Sequence, residues 1–314
     1  FLIFKSLIAI IGPTGSGKTE FSIKLSEKIP INVINADSRQ IYKYMNIGTA
    51  KPTLKQRSKV KHYIVDQVYP NINYSLNNFI NDAKESYENI LLQDLIPIIV
   101  GGTGLYIWAL LDDWQLPDVP PDQEYRNYLE IKIKNNKPEY LSDLFISEIG
   151  HENSKNFDLN NNRRLIRYLE IINTIGPEAF LANKKTEKNN HLIIGLDYCK
   201  NTQEQKLSKR IDKMFDQGWI KEVENLIQKG YNLSHHSMSG IGYKEIYLYL
   251  TNVIDHNKMR ELIIKRTLNL VKKQRTWFKK SDERINWIDI TKSSNQVELI
   301  KNKIIKYREE NESN

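Results

Sequence analysis

The sequence predicts an α/β fold: a P-loop-type parallel sheet flanked by helices, with an all-helical insertion. Three observations carry this. Apolar runs of strand length alternate with helical patterns, the first run opens into a glycine-rich phosphate loop, and strand signals stop between residues 122 and 190 before one returns at 191. Strand, crossover helix, strand in that order implies parallel pairing with right-handed crossovers.

Leu7 to Ile11 is the first strand. Behind it Gly12-Pro13-Thr14-Gly15-Ser16-Gly17-Lys18-Thr19 fits GxxxxGK[ST], and a helix with Phe21, Leu25 and Ile29 on one face follows. In such a loop backbone N–H groups curl around phosphate oxygens, Lys18 neutralises charge, and the Thr19 hydroxyl can ligate Mg2+. A di- or triphosphate is the expected ligand. Ile31 to Ala36 is a second strand ending at Asp37, which should share a crevice with the P-loop at the strands' C-terminal edge. Asp37 reads as a catalytic or metal-linked carboxylate or as the N-cap of a helix over 39–45. Asp66, after a third run at Tyr63 to Val65, is its rival for a magnesium-linked role.

A helix over 77–93 and a strand over 96–100 lead to Gly101-Gly102-Thr103-Gly104, which reads either as a tight strand-to-helix turn or as a second loop where backbone and a hydroxyl can approach a ligand. Pro117, Pro120 and Pro121 mark a boundary. Helices are expected at 125–134, 139–149 and 163–173, then a return strand at 191–197, helices over 202–229 (interrupted at Gly218), 243–250 and 257–280, and a last strand at 285–290. The division is therefore 1–118 core, 119–190 helical insertion, 191–294 core with basic helices, and 295–314 a polar, frayed tail.

With 314 residues and 40% hydrophobic content the chain can bury a full core. Cys199 is the only cysteine, which excludes an intramolecular disulfide and a Cys-cluster zinc site. No apolar run approaches the ~20 residues of a membrane span; a cytoplasmic monomer without a signal peptide is expected. The net charge of +8 is matched by residues 257–280 alone, which hold nine Lys or Arg against Glu261. On a helical wheel Ile263, Thr267, Leu270, Gln274, Trp277 and Phe278 share one face, and Lys265, Lys272, Lys273, Arg275, Lys279 and Lys280 the other. That concentration points to contact with a phosphate backbone.

Taken together these pieces resemble the tRNA dimethylallyltransferases, or IPP transferases. The resemblance covers Ile10 to about Lys279 and rests on the P-loop, ADSRQIYKYMNIGTAKP (36–52), VGGTGLY (100–106), RRLIRYLEI (163–171), IGYKE (241–245) and KKQRTW (272–277). It implies Mg2+-assisted transfer of the dimethylallyl group from dimethylallyl diphosphate to N6 of the adenosine 3′ to the anticodon, with the P-loop holding the prenyl diphosphate in place of ATP. By resemblance Asp37 is the general base, Thr103 lies at the reacting centre, Arg210 is close to the diphosphate, and Arg126 contacts the tRNA near the target base. Further tRNA contacts are implied for Asp37, Ser38, Arg39 and Gln40, for Arg163, Arg164, Leu165, Ile166 and Arg167, and for Ser239, Gly240, Ile241, Gly242, Tyr243 and Lys244, beside Lys272, Lys273 and Arg275. The implied partner is the tRNA anticodon stem-loop.

The chain departs from the family pattern at Asn160-Asn161 (usually Asn-Asp), Lys206 (another basic position one turn before Arg210), Ser239 (usually Gln) and Thr267-Leu268 (usually Thr-Arg). Arg275, on nearly the same azimuth as Leu268, is expected to replace the missing charge. Three rival readings are a small-molecule or nucleotide kinase, a non-catalytic RNA-binding protein, and an enzyme that prenylates free AMP.

Overall fold

The computed structural model describes residues 6–182, 190–198, 203–289 and 295–312; Cys199 and Ile290 lie outside them. Two compact units result, Phe1–Asp112 with Lys188–Asn314, and Asp113–Glu187.

The larger unit is built on six parallel strands, β1 (Ile8–Ile11), β2 (Ile31–Ala36), β3 (His62–Tyr63), β4 (Ile96–Gly101), β5 (Leu192–Asp197) and β6 (Ile285–Asp289), in the order β3-β2-β4-β1-β5-β6. Every residue of β1, β2, β4 and β5 is buried. Sheets covered on both faces need such continuous apolar runs, which is why these strands read plainly in the sequence. Register places the site. Ile11 pairs with Gly101 and Gly195, and Ala36 pairs with Gly101. The loops that start at Gly12, Asp37 and Gly102 therefore leave one edge of the sheet side by side.

Four helices belong to the first stretch of this unit: α1 (Lys18–Ser26), α2 (Leu54–Arg57), α3 (Leu76–Leu91) and α4 (Gly104–Leu111). The smaller unit holds α5 (Gln123–Asn135), α6 (Tyr140–Ile149), α7 (His151–Ser154), α8 (Asn162–Ile175) and α9 (Pro177–Ala182). No strand is present there among the described residues. Its own core is Leu129, Leu141, Phe145, Ile149, Leu165, Leu169 and Ile172, with Phe157, Tyr168 and Phe180 ringed around Phe145. Asn161 caps α8 by accepting the Arg164 N–H at 3.3 Å. Asn and Asp cap equally well, so the departure at this position keeps the cap.

The chain then returns to the larger unit as β5, α10 (Gln203–Asp216), α11 (Trp219–Gln228), a 3-10 turn (His236–Ser239), α12 (Tyr243–Leu250), α13 (His256–Trp277), β6 and α14 (Gln296–Glu312). Three expectations need correction. Residues Gln296–Glu312 are a helix and not a frayed tail: Val297, Ile300, Ile304 and Tyr307 recur at helical spacing, and this stripe joins the main core with Phe21, Leu25 and Ile194. No helix covers 39–45, which is a series of turns, so Asp37 caps none. Finally, α13 ends at Trp277, leaving Phe278, Lys279 and Lys280 beyond it; Phe278 turns into the core.

Candidate active site

The loop after β1 wraps tightly because Gly12 (φ +152°) lies against β5: a Cβ there would meet the Leu196 carbonyl oxygen at 2.1 Å. Gly12, Pro13 and Ser16 are buried beneath the loop, while Thr14, Gly15, Gly17, Lys18 and Thr19 line a cavity of about 790 Å³. The same cavity is lined by Asp37, Ser38, Arg39 and Gln40, by Gly102, Thr103 and Gly104, by Arg210, and by Lys273, Gln274 and Trp277. Three loops far apart in sequence thus meet where the strand register puts them.

Lys18 folds back on its loop, its Nζ donating to the Gly12 and Pro13 carbonyls at 2.9 Å each. Burial pushes its pKa down to about 8; the Asp37 carboxylate opposes this and the Arg210 guanidinium adds to it. Arg210 is likewise pushed below the usual arginine range by burial, again against the pull of Asp37. Among the described residues neither cation has a carboxylate within ion-pair distance. Asp37 accepts the Arg39 N–H at 2.9 Å through Oδ1. Thr103 Oγ1 accepts the Ser38 N–H at 3.1 Å, and the Thr103 N–H donates to the Ala36 carbonyl at 3.2 Å, which fixes the threonine beside the aspartate.

Asp66, by contrast, is outside this cavity. Its carboxylate takes Lys51 Nζ at 2.5 Å and Arg57 NH1 at 2.8 Å, so the rival carboxylate is occupied by scaffold cations.

Other sequence-predicted residues are engaged in ways that their types alone did not reveal. Arg275, expected to replace a surface charge, has a side chain only 16% exposed and donates to Asp197 Oδ1 at 2.9 Å. The nine basic residues of 257–280 are partly neutralised, with Lys258, Arg260, Arg266 and Lys280 also in ion pairs. Lys272 and Lys273 stay exposed. Gln40 is buried and donates to the Thr49 and Ala50 carbonyls, and Arg39 NH1 donates to the His236 carbonyl. Tyr243 is buried with its hydroxyl on Glu222, Gly242 is buried, and Lys244 is exposed. Ser239, Gly240 and Ile241 line the cavity.

In the helical unit Leu165 is a core residue, 1% exposed, and its side chain cannot reach a surface ligand. Arg163 and Arg164 are exposed, Ile166 half-buried. Arg126 forms a two-point pair with Glu170, Nε to Oε1 at 2.7 Å and NH2 to Oε2 at 2.9 Å; Arg167 donates to the same carboxylate. Burial pushes the Glu170 carboxyl up, but the two arginines more than reverse this and hold it below the usual range.

Four residues that sequence reading left aside prove to organise these loops. Glu222 accepts the N–H groups of Asn46, Ile47 and Gly48. Lys51 pins the same loop from inside, and Glu170 sets the arginines of the helical unit. Gln274 accepts the Thr14 N–H at 2.7 Å and donates to the Gly102 carbonyl at 3.0 Å. Only Gln274 had a signal: a polar residue on the apolar face of the wheel must find buried partners.

Fold and cavity are those of a P-loop α/β protein whose loop cations face a carboxylate and a threonine at the sheet edge. A family model for IPP transferases matches residues 40–281. Relatives described as tRNA dimethylallyltransferases include those of Natranaerobius thermophilus, 37% identical over 92% of this chain and 88% of the relative, and Dictyoglomus turgidum, 38% identical over 95% and 92%. Among solved structures, the full-length tRNA isopentenylpyrophosphate transferase of Bacillus halodurans is similar with a TM-score of 0.73 and 30% identity over 98% of both chains. A eukaryotic dimethylallyltransferase acting on tRNA gives 0.80 and 26% identity over 96% of this chain and 80% of its own. This chain belongs to the IPP transferase family.

Proposed function

We propose that the protein transfers the dimethylallyl group from dimethylallyl diphosphate to N6 of the adenosine 3′ to the anticodon in tRNA. The observation that carries this reading is the convergence of Lys18, Thr19, Arg210, Asp37 and Thr103 on one cavity in a chain of this family. The loop N–H groups, Lys18 and Arg210 would hold the diphosphate. Their positive charge would stabilise the negative charge that grows as the allylic C–O bond breaks.

The adenine amine is a weak nucleophile because its lone pair is delocalised into the ring. As the C–N bond forms, its proton passes to the Asp37 carboxylate, and diphosphate leaves. Thr103, locked to Ser38, orients the amine beside Asp37. The base must leave its stack to enter the cavity, so the target lies in an unpaired loop. Exposed Arg163, Arg164, Lys272, Lys273 and Lys244 supply backbone contacts for the rest of the stem-loop, and Arg126 and Arg167 present guanidinium groups held in place by Glu170.

Magnesium fits the donor set in one way only. Among the described residues no cluster of three His, Cys, Asp or Glu could hold an ion alone. Thr19 brings a hydroxyl to the diphosphate end of the cavity, and Mg2+ commonly takes one or two protein ligands with substrate phosphates and water. Bound there with the diphosphate, it would supply further charge neutralisation for the leaving group.

The test is incubation of the protein with labelled dimethylallyl diphosphate and unmodified tRNA, with AMP as an alternative acceptor, followed by nucleoside digestion. Label on adenosine N6 from tRNA, and none on AMP, is expected. Label on AMP alone would make the protein a free-nucleotide prenyltransferase, and no label on either would overturn the proposal.

A further inference from the structure

Gln274 lies on the buried side of α13, between the loop that would hold the diphosphate and the loop that carries Thr103. Thr14 offers it a donor, and Gly102 an acceptor. A primary amide is the uncharged side-chain group that carries both a donor and an acceptor at its tip in one plane, so glutamine meets both demands without burying a charge. The connection continues beyond Gly102. Thr103 Oγ1 accepts from the Ser38 N–H at 3.1 Å, and Ser38 follows Asp37 directly. Two hydrogen bonds of Gln274, the Gly102–Thr103 peptide link and the Ser38–Thr103 bond therefore connect the P-loop to the carboxylate's neighbour. Space is tight as well: a Cβ on Gly102 would come within 2.5 Å of Gln274 Nε2.

We propose that Gln274 is a positioning residue that fixes the spacing between the diphosphate loop and the acceptor loop, so that prenyl carbon and attacking amine meet in line. The inference rests on the transferase reading above. Gln274 touches neither reactant in this scheme; it acts through Thr14 and Gly102. Displacement of reacting groups by about 1 Å costs roughly 10²-fold in rate, which sets the scale of the expected effect.

The experiment compares Gln274→Met, which keeps the volume and loses both hydrogen bonds, with Gly102→Ala, which pushes on the same bond from the other side, and with the double variant. Single-turnover transfer at saturating substrates should fall about 10²-fold in each single variant, with the tRNA dissociation constant within about 2-fold of wild type. The double variant should be no slower than the slower single one, because Gln274→Met already removes the bond on which Gly102→Ala pushes. A folded Gln274→Met protein with wild-type turnover, losses that multiply in the double variant, or a loss confined to tRNA affinity would each overturn the inference. Should Gln274→Met fail to fold, Gly102→Ala carries the turnover test alone. Equilibrium binding of dimethylallyl diphosphate separates the two readings. If wild type transfers nothing, the transferase reading fails, yet an affinity about 10-fold weaker in Gln274→Met would still uphold Gln274 as the residue that positions the diphosphate loop, and equal affinity would sink that role.

Discussion

Two lysines of the larger unit, Lys18 at the start of α1 after β1 and Lys51 in the loop that follows β2, both have ammonium groups whose pKa burial lowers. Their partners differ. Lys51, with a side chain 1% exposed, holds the Tyr42 carbonyl, Asn46 Oδ1 and the Asp66 carboxylate, so its charge is compensated and its geometry closed. Lys18 donates to two loop carbonyls and faces the cavity, with no carboxylate in ion-pair distance among the described residues. A buried cation closed on its own carboxylate reads as scaffold; one that faces a cavity without such a carboxylate is a candidate for holding an anion. The same contrast separates Asp66, taken by Lys51 and Arg57, from Asp37, and Arg275, taken by Asp197, from Arg210.

The comparison is broken first at the carboxylates. Asp37→Asn keeps the size and an acceptor oxygen but cannot take the proton, and kcat should fall about 10²- to 10⁴-fold with tRNA affinity little changed. Asp66→Asn should leave turnover of the folded protein within a few-fold and lower unfolding stability by about 3 kcal/mol, read from denaturant titration. The reverse pattern would mean that the scaffold and functional assignments are exchanged. At the lysines the expected loss is next in size. Lys18→Ala should cost about 10²- to 10³-fold in transfer, while Lys51→Ala should show itself in thermal unfolding, as Asp66 keeps only Arg57 of its two cations.

The pH dependence of dimethylallyl diphosphate binding sharpens the same contrast. In the ligand-free protein the Lys18 ammonium loses its proton near 8, so affinity should hold below that pH and fall as pH rises through it. Lys18→Ala should lack this limb. Stability runs the other way: the unfolded chain keeps the proton up to the ordinary 10.5, so between 8 and 10.5 it binds more protons than the folded state and this group's contribution to stability rises with pH. The smallest effect concerns the exposed lysines. Log affinity for tRNA should fall with log salt by roughly 0.7 to 0.9 per phosphate contact, and charge reversal at Lys272 and Lys273 should reduce that slope by about 1 to 2. A flat salt profile would remove α13 from the RNA surface.

Most of the fold was legible because its strands are buried on both faces and spell continuous apolar runs. The P-loop, Asp37 and Thr103 were legible for a related reason: each follows a strand end, and register alone brings strand ends together. What stayed hidden was pairing over long sequence distances. Nothing in the sequence places Glu222 on the N–H groups of residues 46–48, Asp197 on Arg275, or Glu170 on Arg126, because ion-pair partners are set by tertiary packing and carry no local pattern. The stripe of α14 was written in Val297, Ile300, Ile304 and Tyr307, but the polar residues between them masked it.

The central claim is that the P-loop serves a prenyl diphosphate. Its most direct test is equilibrium binding of labelled dimethylallyl diphosphate to wild type and Lys18→Ala, with ATP as competitor. Wild type is expected to bind it with only weak displacement by a hundredfold excess of ATP, and Lys18→Ala with an affinity at least about 10²-fold lower. Ready displacement by ATP, or equal binding by the two proteins, would contradict it.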